Sequence, residues 1–164
     1  MTTTPDPILT SAREVLRRSR DEMRDAVKGL PADALNWRPV PDDTNSIAVL
    51  AVHSLSSTRM WLSIAVGESP PDRDRASEFA VSAGDSAELL SSVGRLTEAC
   101  LSLVDDSRTV DWSALRDAQG PPGSGEDTQV FAAWALLHAL EHLREHVGQI
   151  SLTRQLWDQH SRSP

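Results

Sequence analysis

Four long stretches of this chain carry apolar residues at every third or fourth position, and segments rich in proline, glycine and aspartate separate them. That spacing lines one side of an α-helix and does not fit the two-residue alternation of a half-buried strand. The first stretch runs from about Asp6 to Gly29, with Leu9, Ala12, Leu16, Ser19, Met23, Ala26 and Leu30 in register. Gly29 suits a left-handed helix end, and Pro31 resists continuation. The segment from Leu30 to Asp43 holds three prolines and reads as a loop with one short turn at Ala32–Leu35. The second helix is expected from about Asn45 to Val66, with Leu50, His53, Ser57, Met60 and Ile64 on one seam. The stretch from Glu68 to Gly84 is charged and proline-containing, with Phe79 as its one large anchor.

A third helix is expected to start at Asp85, where Asp85 and Glu88 have capping-box spacing. Its stripe is Leu89, Val93, Leu96, Cys100 and Leu103. The region from Asp105 to Glu126 is irregular, with a flexible GPPGSG loop at 120–125 and Trp112 and Leu115 pinning its first half. The fourth helix is expected from about Asp127 to Asp158, along Leu136, Leu140, Leu143, Val147 and Ile150. No internal repeat and no strand alternation stand out. At most a short strand pair is expected, in the 105–126 loop. The fold class is all-α, a single domain over residues 1–164 built as an up-down-up-down four-helix bundle with long loops.

Charge and cysteine content narrow the function. With 24 acidic against 16 basic residues, the net charge is −8. Such a chain lacks the basic footprint of a nucleic-acid binder and the attraction to an anionic membrane. The N-terminus has no signal-peptide pattern, and no apolar window reaches membrane-span length. A soluble, cytoplasmic protein is the expectation. Cys100 is the single cysteine, so a disulfide within the chain or a cysteine-rich zinc site is excluded. It sits on an apolar stripe as an inert core thiol. Lys28 is the one lysine among sixteen cations, a skew that points to a GC-rich source.

Of five histidines, His138, His142 and His146 fall at i, i+4 and i+8 on the fourth helix and span roughly 80° of it. They lie at the border between the apolar stripe and the charged side, so one reading is a row of half-exposed polar residues. His53 lies within the apolar seam of the second helix, where a lone core histidine bonded to a carbonyl is the ordinary case. Facing helices of a bundle can nevertheless give ligands to one interior site. Histidines one turn apart have Cβ atoms about 5–6 Å apart, which lets both imidazoles reach one metal ion. His142 and His146 are the pair chosen here, with His53 as third ligand and open positions left for water or substrate. The string HALEH at 138–142 also matches the H-x-x-E-H of inverted zinc proteases, with His138 and His142 on zinc and Glu141 activating water. Glu141 falls on the charged side of the helix, and the chain is too short for that protease architecture.

The sequence NSIAVLAVHSLSSTRMWL at 45–62, paired with HALEHLREHVGQISLTRQ at 138–155, resembles the DinB-like superfamily of metal-binding four-helix bundles. The H-x-x-x-H-x-G-Q-I run at 142–150, Arg154, the lead-in WRPVPDDTNS at 37–46 and DRDRASEF at 72–79 carry the same likeness, which covers nearly the whole chain. The resemblance implies metal ligands at His53, His142 and His146 and a divalent ion, zinc or nickel. It leaves His138 as a cavity-lining or supporting residue. It also implies a homodimer in many relatives, and in some a thiol S-transferase or isomerase that uses a small thiol such as mycothiol or bacillithiol. A GC-rich bacterial source favours mycothiol. A thiol on a divalent ion loses its proton near neutral pH, so an electrophilic substrate held beside it is attacked. Arg59, Arg144 and Arg154 are candidate contacts to such ligands, with surface arginine the commoner reading for each; Gln149, one turn from His146, either orients a ligand or simply satisfies backbone or water. Trp61, Trp134 and Trp157 read as packing residues, and His160 as solvated. The alternative is a bundle that binds a metal or small ligand without turnover, in stress response or metal handling; a fourth protein ligand, with His138 the obvious one, would favour it.

Overall fold

The computed structural model describes residues 6–107, 109–119 and 127–162, and the chain is mostly helical. The elements are α1 (Pro7–Val27), α2 (Ala32–Asn36), α3 (Ile47–Val66), α4 (Arg75–Phe79), α5 (Ser86–Asp106), β1 (Leu115–Gln119), β2 (Asp127–Phe131) and α6 (Ala132–His160). The GPPGSG loop expected at 120–125 lies outside the described residues.

Local chemistry sets the helix starts. Asp6 accepts from the amides of Ile8 and Leu9, Ser46 from that of Val49, and Asp85 from that of Glu88. Each satisfies amides that the first turn leaves without a helical partner. Gly67 closes α3 in the left-handed region, at φ 86°, where a side chain would be strained. The helix expected from Asp127 begins five residues later. Residues 127–131 instead form β2, antiparallel to β1, with Leu115 opposite Phe131. The hairpin then caps α6, because the amides of Ala132 and Ala133 donate to the carbonyls of Ala114 and Trp112. Of the two expected pins, Trp112 holds, donating to the Asp6 carboxylate at 3.1 Å. Leu115 is exposed and does not.

The four long helices pack in a ring, with α3 against α5 and α6, and α1 against the same two. Their directions overturn the expected up-down-up-down order. Arg13 meets Asp105 and Arg20 meets Glu98, so α1 and α5 are antiparallel. Ser19 meets Arg144 and Ala26 meets Arg154, so α1 and α6 are parallel. Thr58 meets Ala139 while His53 meets His142, so α3 and α6 are antiparallel. The order is therefore up-down-down-up. Consecutive α3 and α5 point the same way because residues 67–85 return along the whole helix length, about 30 Å for twenty residues. Sequence periodicity identifies helix faces but not the path of a connection of that length.

That crossover carries α4, which the sequence did not show as a helix, and is fastened at its far end. Asn36 accepts from the amide of Ala83 at 2.9 Å and donates to its carbonyl at 2.8 Å. The α3–α6 contact is the most extensive in the molecule, and both helices bury small residues. Ala51, Ser54 and Thr58 on α3 and Ala132, Ala135 and Ala139 on α6 are all buried. The Thr58 hydroxyl lies 3.5 Å from the Ala139 carbonyl of the facing helix. α3 is the one described helix apolar and long enough to cross a membrane by composition, and 72% of that window is buried inside the protein. Its apolar character matches contacts on several sides. On α5 the buried line is Leu89, Val93, Thr97, Cys100, Leu101 and Val104, leaving Leu96 and Leu103 at its edge.

Leu143 is fully buried on α6, whereas Leu137 is 66% exposed. Leu143→Ala should lower stability by about 2–5 kcal/mol, the range for a buried leucine left as a cavity. Leu137→Ala should change it by less than about 0.5 kcal/mol. Denaturant unfolding of both variants checks the core assignment; equal effects would overturn it.

Candidate metal centre

The close approach of α3 and α6 brings His53, His142 and His146 together, with one candidate ligand atom from each within 4.8 Å of the others. His142 and His146, one turn apart on α6, place their Nε2 atoms 3.2 Å apart. The His53 ring centre lies 5.2 Å from that of His142 and 5.3 Å from that of His146. His53 is buried, and the other two are half-buried.

The outer nitrogens determine what the inner ones offer. His146 Nδ1 lies 2.7 Å from Gln149 Oε1, which can only accept, so the ring proton sits on Nδ1 and the Nε2 lone pair faces inward. His53 Nδ1 lies 2.9 Å from Glu78 Oε2, and the same logic leaves its Nε2 for the interior. His142 Nδ1 is buried without a partner. Three converging imidazoles, two of them with a lone pair turned inward, suit a divalent ion of intermediate softness. Ligands 2.0–2.1 Å from one centre can be at most about 4.2 Å apart. The set is thus slightly wider than a bound ion requires, and a small side-chain movement closes it.

Glu78 is a buried acidic residue on α4. Arg73 grips it at two points, Nε to Oε1 at 2.6 Å and Nη2 to Oε2 at 2.7 Å. Phe79 covers the His53 ring at 4.5 Å, and the Arg75 guanidinium stands 4.9 Å over Phe79. Burial holds the His142 pKa down to about 3, helped by the neighbouring His146, His53, His138 and Arg73. Burial also lowers the His53 pKa, against the hydrogen bond and charge of Glu78 and with the help of His146 and Arg73. Both effects favour the uncharged imidazole that a metal ion needs.

The remaining residues singled out in the sequence fall into distinct places. His138 is outside the converging set. Its ring stacks on Trp134 at 4.9 Å and meets Trp61 at 4.8 Å, with its centre 6.0 Å from that of His142. Trp134 is not a core residue but is 47% exposed. His160 is exposed, as expected, with its ring stacked on Trp37 at 5.3 Å. Arg144 pairs with Glu22 and Ser19, and Arg154 with Asp158 and the Ala26 carbonyl. Both bind structure on the α1 side, so neither is placed to hold a ligand at the histidines. Arg59 is exposed beside a cleft with Ser56 and Asp74. Cys100 is inert: burial pushes its thiol up to about 12.

Sequence reasoning missed Arg73 and Glu78, although both lie in the DRDRASEF segment. A glutamate flanked by arginines in a polar loop looks like surface; nothing local signals that the loop folds back over His53. Arg73 also lines an open cleft of about 650 Å³ with Met60, Ile64, Pro70, Pro71 and Asp117.

The sequence pattern of the DinB superfamily matches residues 15–150. A crystal structure described as the conserved protein of locus from Enterococcus faecalis is similar in fold, with a TM-score of 0.68. The match covers 90% of this chain and 95% of that one at 18% identity. No curated protein matches the chain.

A histidine whose pKa is depressed by folding stays neutral in the native state while the unfolded chain takes up a proton below its ordinary value near 6.5. The stability it contributes is present above pH 6.5 and is lost as pH falls toward the folded value, about 3 for His142. The metal-free protein should therefore unfold at progressively lower denaturant concentration between pH 7 and 4. His142→Gln should flatten that dependence, and unchanged steepness in the variant would contradict a buried neutral His142.

Proposed function

Because the chain belongs to the DinB superfamily, we propose that His53, His142 and His146 hold a divalent metal ion, zinc or nickel, in a four-helix bundle that acts as a thiol S-transferase. The convergence of three imidazoles, those of His53 and His146 with their outer nitrogens already committed, carries this reading. Among the described residues no fourth histidine, cysteine or carboxylate joins the set, and His138 is occupied by tryptophans. That arrangement leaves room for an exchangeable ligand, as catalytic sites require.

A divalent ion in that position would supply a thiolate at neutral pH by lowering the pKa of a bound thiol. The chain's own residues do the rest. Gln149 and Glu78 keep His146 and His53 in the tautomer that faces inward. Phe79 and the close α3–α6 contact limit water on the His53 side. The cleft beside Arg73 offers space for a small electrophile. In the transfer, a sulfur–carbon bond forms. With a chlorinated acceptor the carbon–chlorine bond breaks and chloride leaves with its electron pair. With an epoxide the carbon–oxygen bond opens and the resulting alkoxide takes a proton from water. Mycothiol is the proposed cosubstrate, with bacillithiol second, in a cytoplasmic bacterial protein that forms a homodimer.

Two measurements test the reading. Purified protein should contain about one zinc or nickel per chain, and His142→Ala should lose it while keeping its helical circular dichroism; undiminished metal in the variant overturns the ligand assignment. With cobalt in the site, adding mycothiol should produce an intense sulfur-to-metal absorption band that is absent in His53→Ala. A spectrum unmoved by millimolar thiol would leave a metal-binding protein without transferase chemistry.

A further inference from the structure

The buried Glu78 has a geometry that anchoring α4 does not explain. Arg73 by itself satisfies the carboxylate, with one nitrogen on each oxygen at 2.6 and 2.7 Å. Yet Oε2 also meets His53 Nδ1 at 2.9 Å, where both side chains are less than a tenth exposed. The other polar atom near Nδ1 is Arg73 Nη2 at 3.3 Å, which is a donor and cannot accept a ring proton. A buried carboxylate is costly without partners, and here both partners are supplied by the fold.

We propose that Glu78 is a positioning residue for the metal centre: it holds the His53 proton on Nδ1, aims the Nε2 lone pair at His142 and His146, and is itself held by Arg73. The assignment rests on the metal-binding reading above. A ring that donates to a carboxylate is both oriented and made a stronger ligand, and loss of such a partner typically costs 10–100-fold in metal affinity. It also makes the crossover part of the centre. Residues 67–85 run the length of the protein, and the Arg73–Glu78 pair presents its carboxylate to a histidine on α3. The centre is therefore built from three parts of the chain, with ligands from two helices and the orienting charge from the connection between α3 and α5.

The experiment combines two readouts on full-length protein. Nitrogen-15 spectra of the metal-free protein at neutral pH report the tautomer of His53, and cobalt and zinc titrations report affinity. Wild-type His53 should carry its proton on Nδ1. In Glu78→Ala nothing holds the proton on Nδ1, so it should move to Nε2, and metal affinity should fall 10–100-fold. Glu78→Gln keeps an acceptor without the charge and should fall between the two. The double variant Arg73→Met with Glu78→Leu removes the buried charges and the acceptor together and serves if Glu78→Ala does not fold. If Glu78 merely fastens α4, these variants lower the melting temperature, but the tautomer stays on Nδ1 and affinity changes by less than twofold; that result overturns the proposal. If wild-type protein takes up no metal, the metal reading fails separately, and the tautomer still decides whether Glu78 positions His53.

Discussion

The centre depends on how closely α3 and α6 approach. Both helices bury small residues, and where Thr58 meets Ala139 the backbones come near enough for the threonine hydroxyl to lie 3.5 Å from the opposite carbonyl. An imidazole reaches only a few ångströms from its own helix. Wider spacing, of the kind leucine-on-leucine packing sets, would move His53 out of reach of His142 and His146.

The second constraint is electrostatic. A buried histidine, a buried glutamate and a part-buried arginine form one continuous chain from the crossover to the converging imidazoles. Each member is tolerable because the next one satisfies it. Burial and mutual repulsion keep His53 and His142 uncharged, while the Glu78 carboxylate settles which nitrogen of His53 carries the proton. Gln149 does the same for His146 with a neutral oxygen, at the exposed edge of the site. The buried His53 and the half-buried His146 are thus oriented by different chemistry suited to their surroundings.

Much of this was legible in the residues alone. Asp85 marks a helix start because its short polar side chain reaches the amide three positions on, a purely local effect. Of the expected α6 stripe, Leu136, Leu143, Val147 and Ile150 are buried as their spacing predicts, and Leu140 is half-buried against the core. The border position of His142 and His146 on that helix shows as half-burial. Elsewhere the local signal was overruled. Asp127–Phe131 joins a helical pattern on paper, yet pairing with β1 satisfies its backbone and caps α6 at the same time. Arg144 and Arg154 looked free until α1 was placed beside α6.

The sequence by itself determined the helix faces, their caps and the histidine spacing, because each depends on residues within about one or two turns of one another. Those properties sufficed to place His142 with His146 and to single out His53 as an unusual core residue. Tertiary structure decided the up-down-down-up order, the route of residues 67–85, and the meeting of Glu78 with His53 across 25 positions of chain. Those depend on which distant surfaces bury each other, and no local period encodes that. A polar, proline-bearing connection has no stripe to read, so the residue that orients the candidate centre was visible only once the chain had folded back over it.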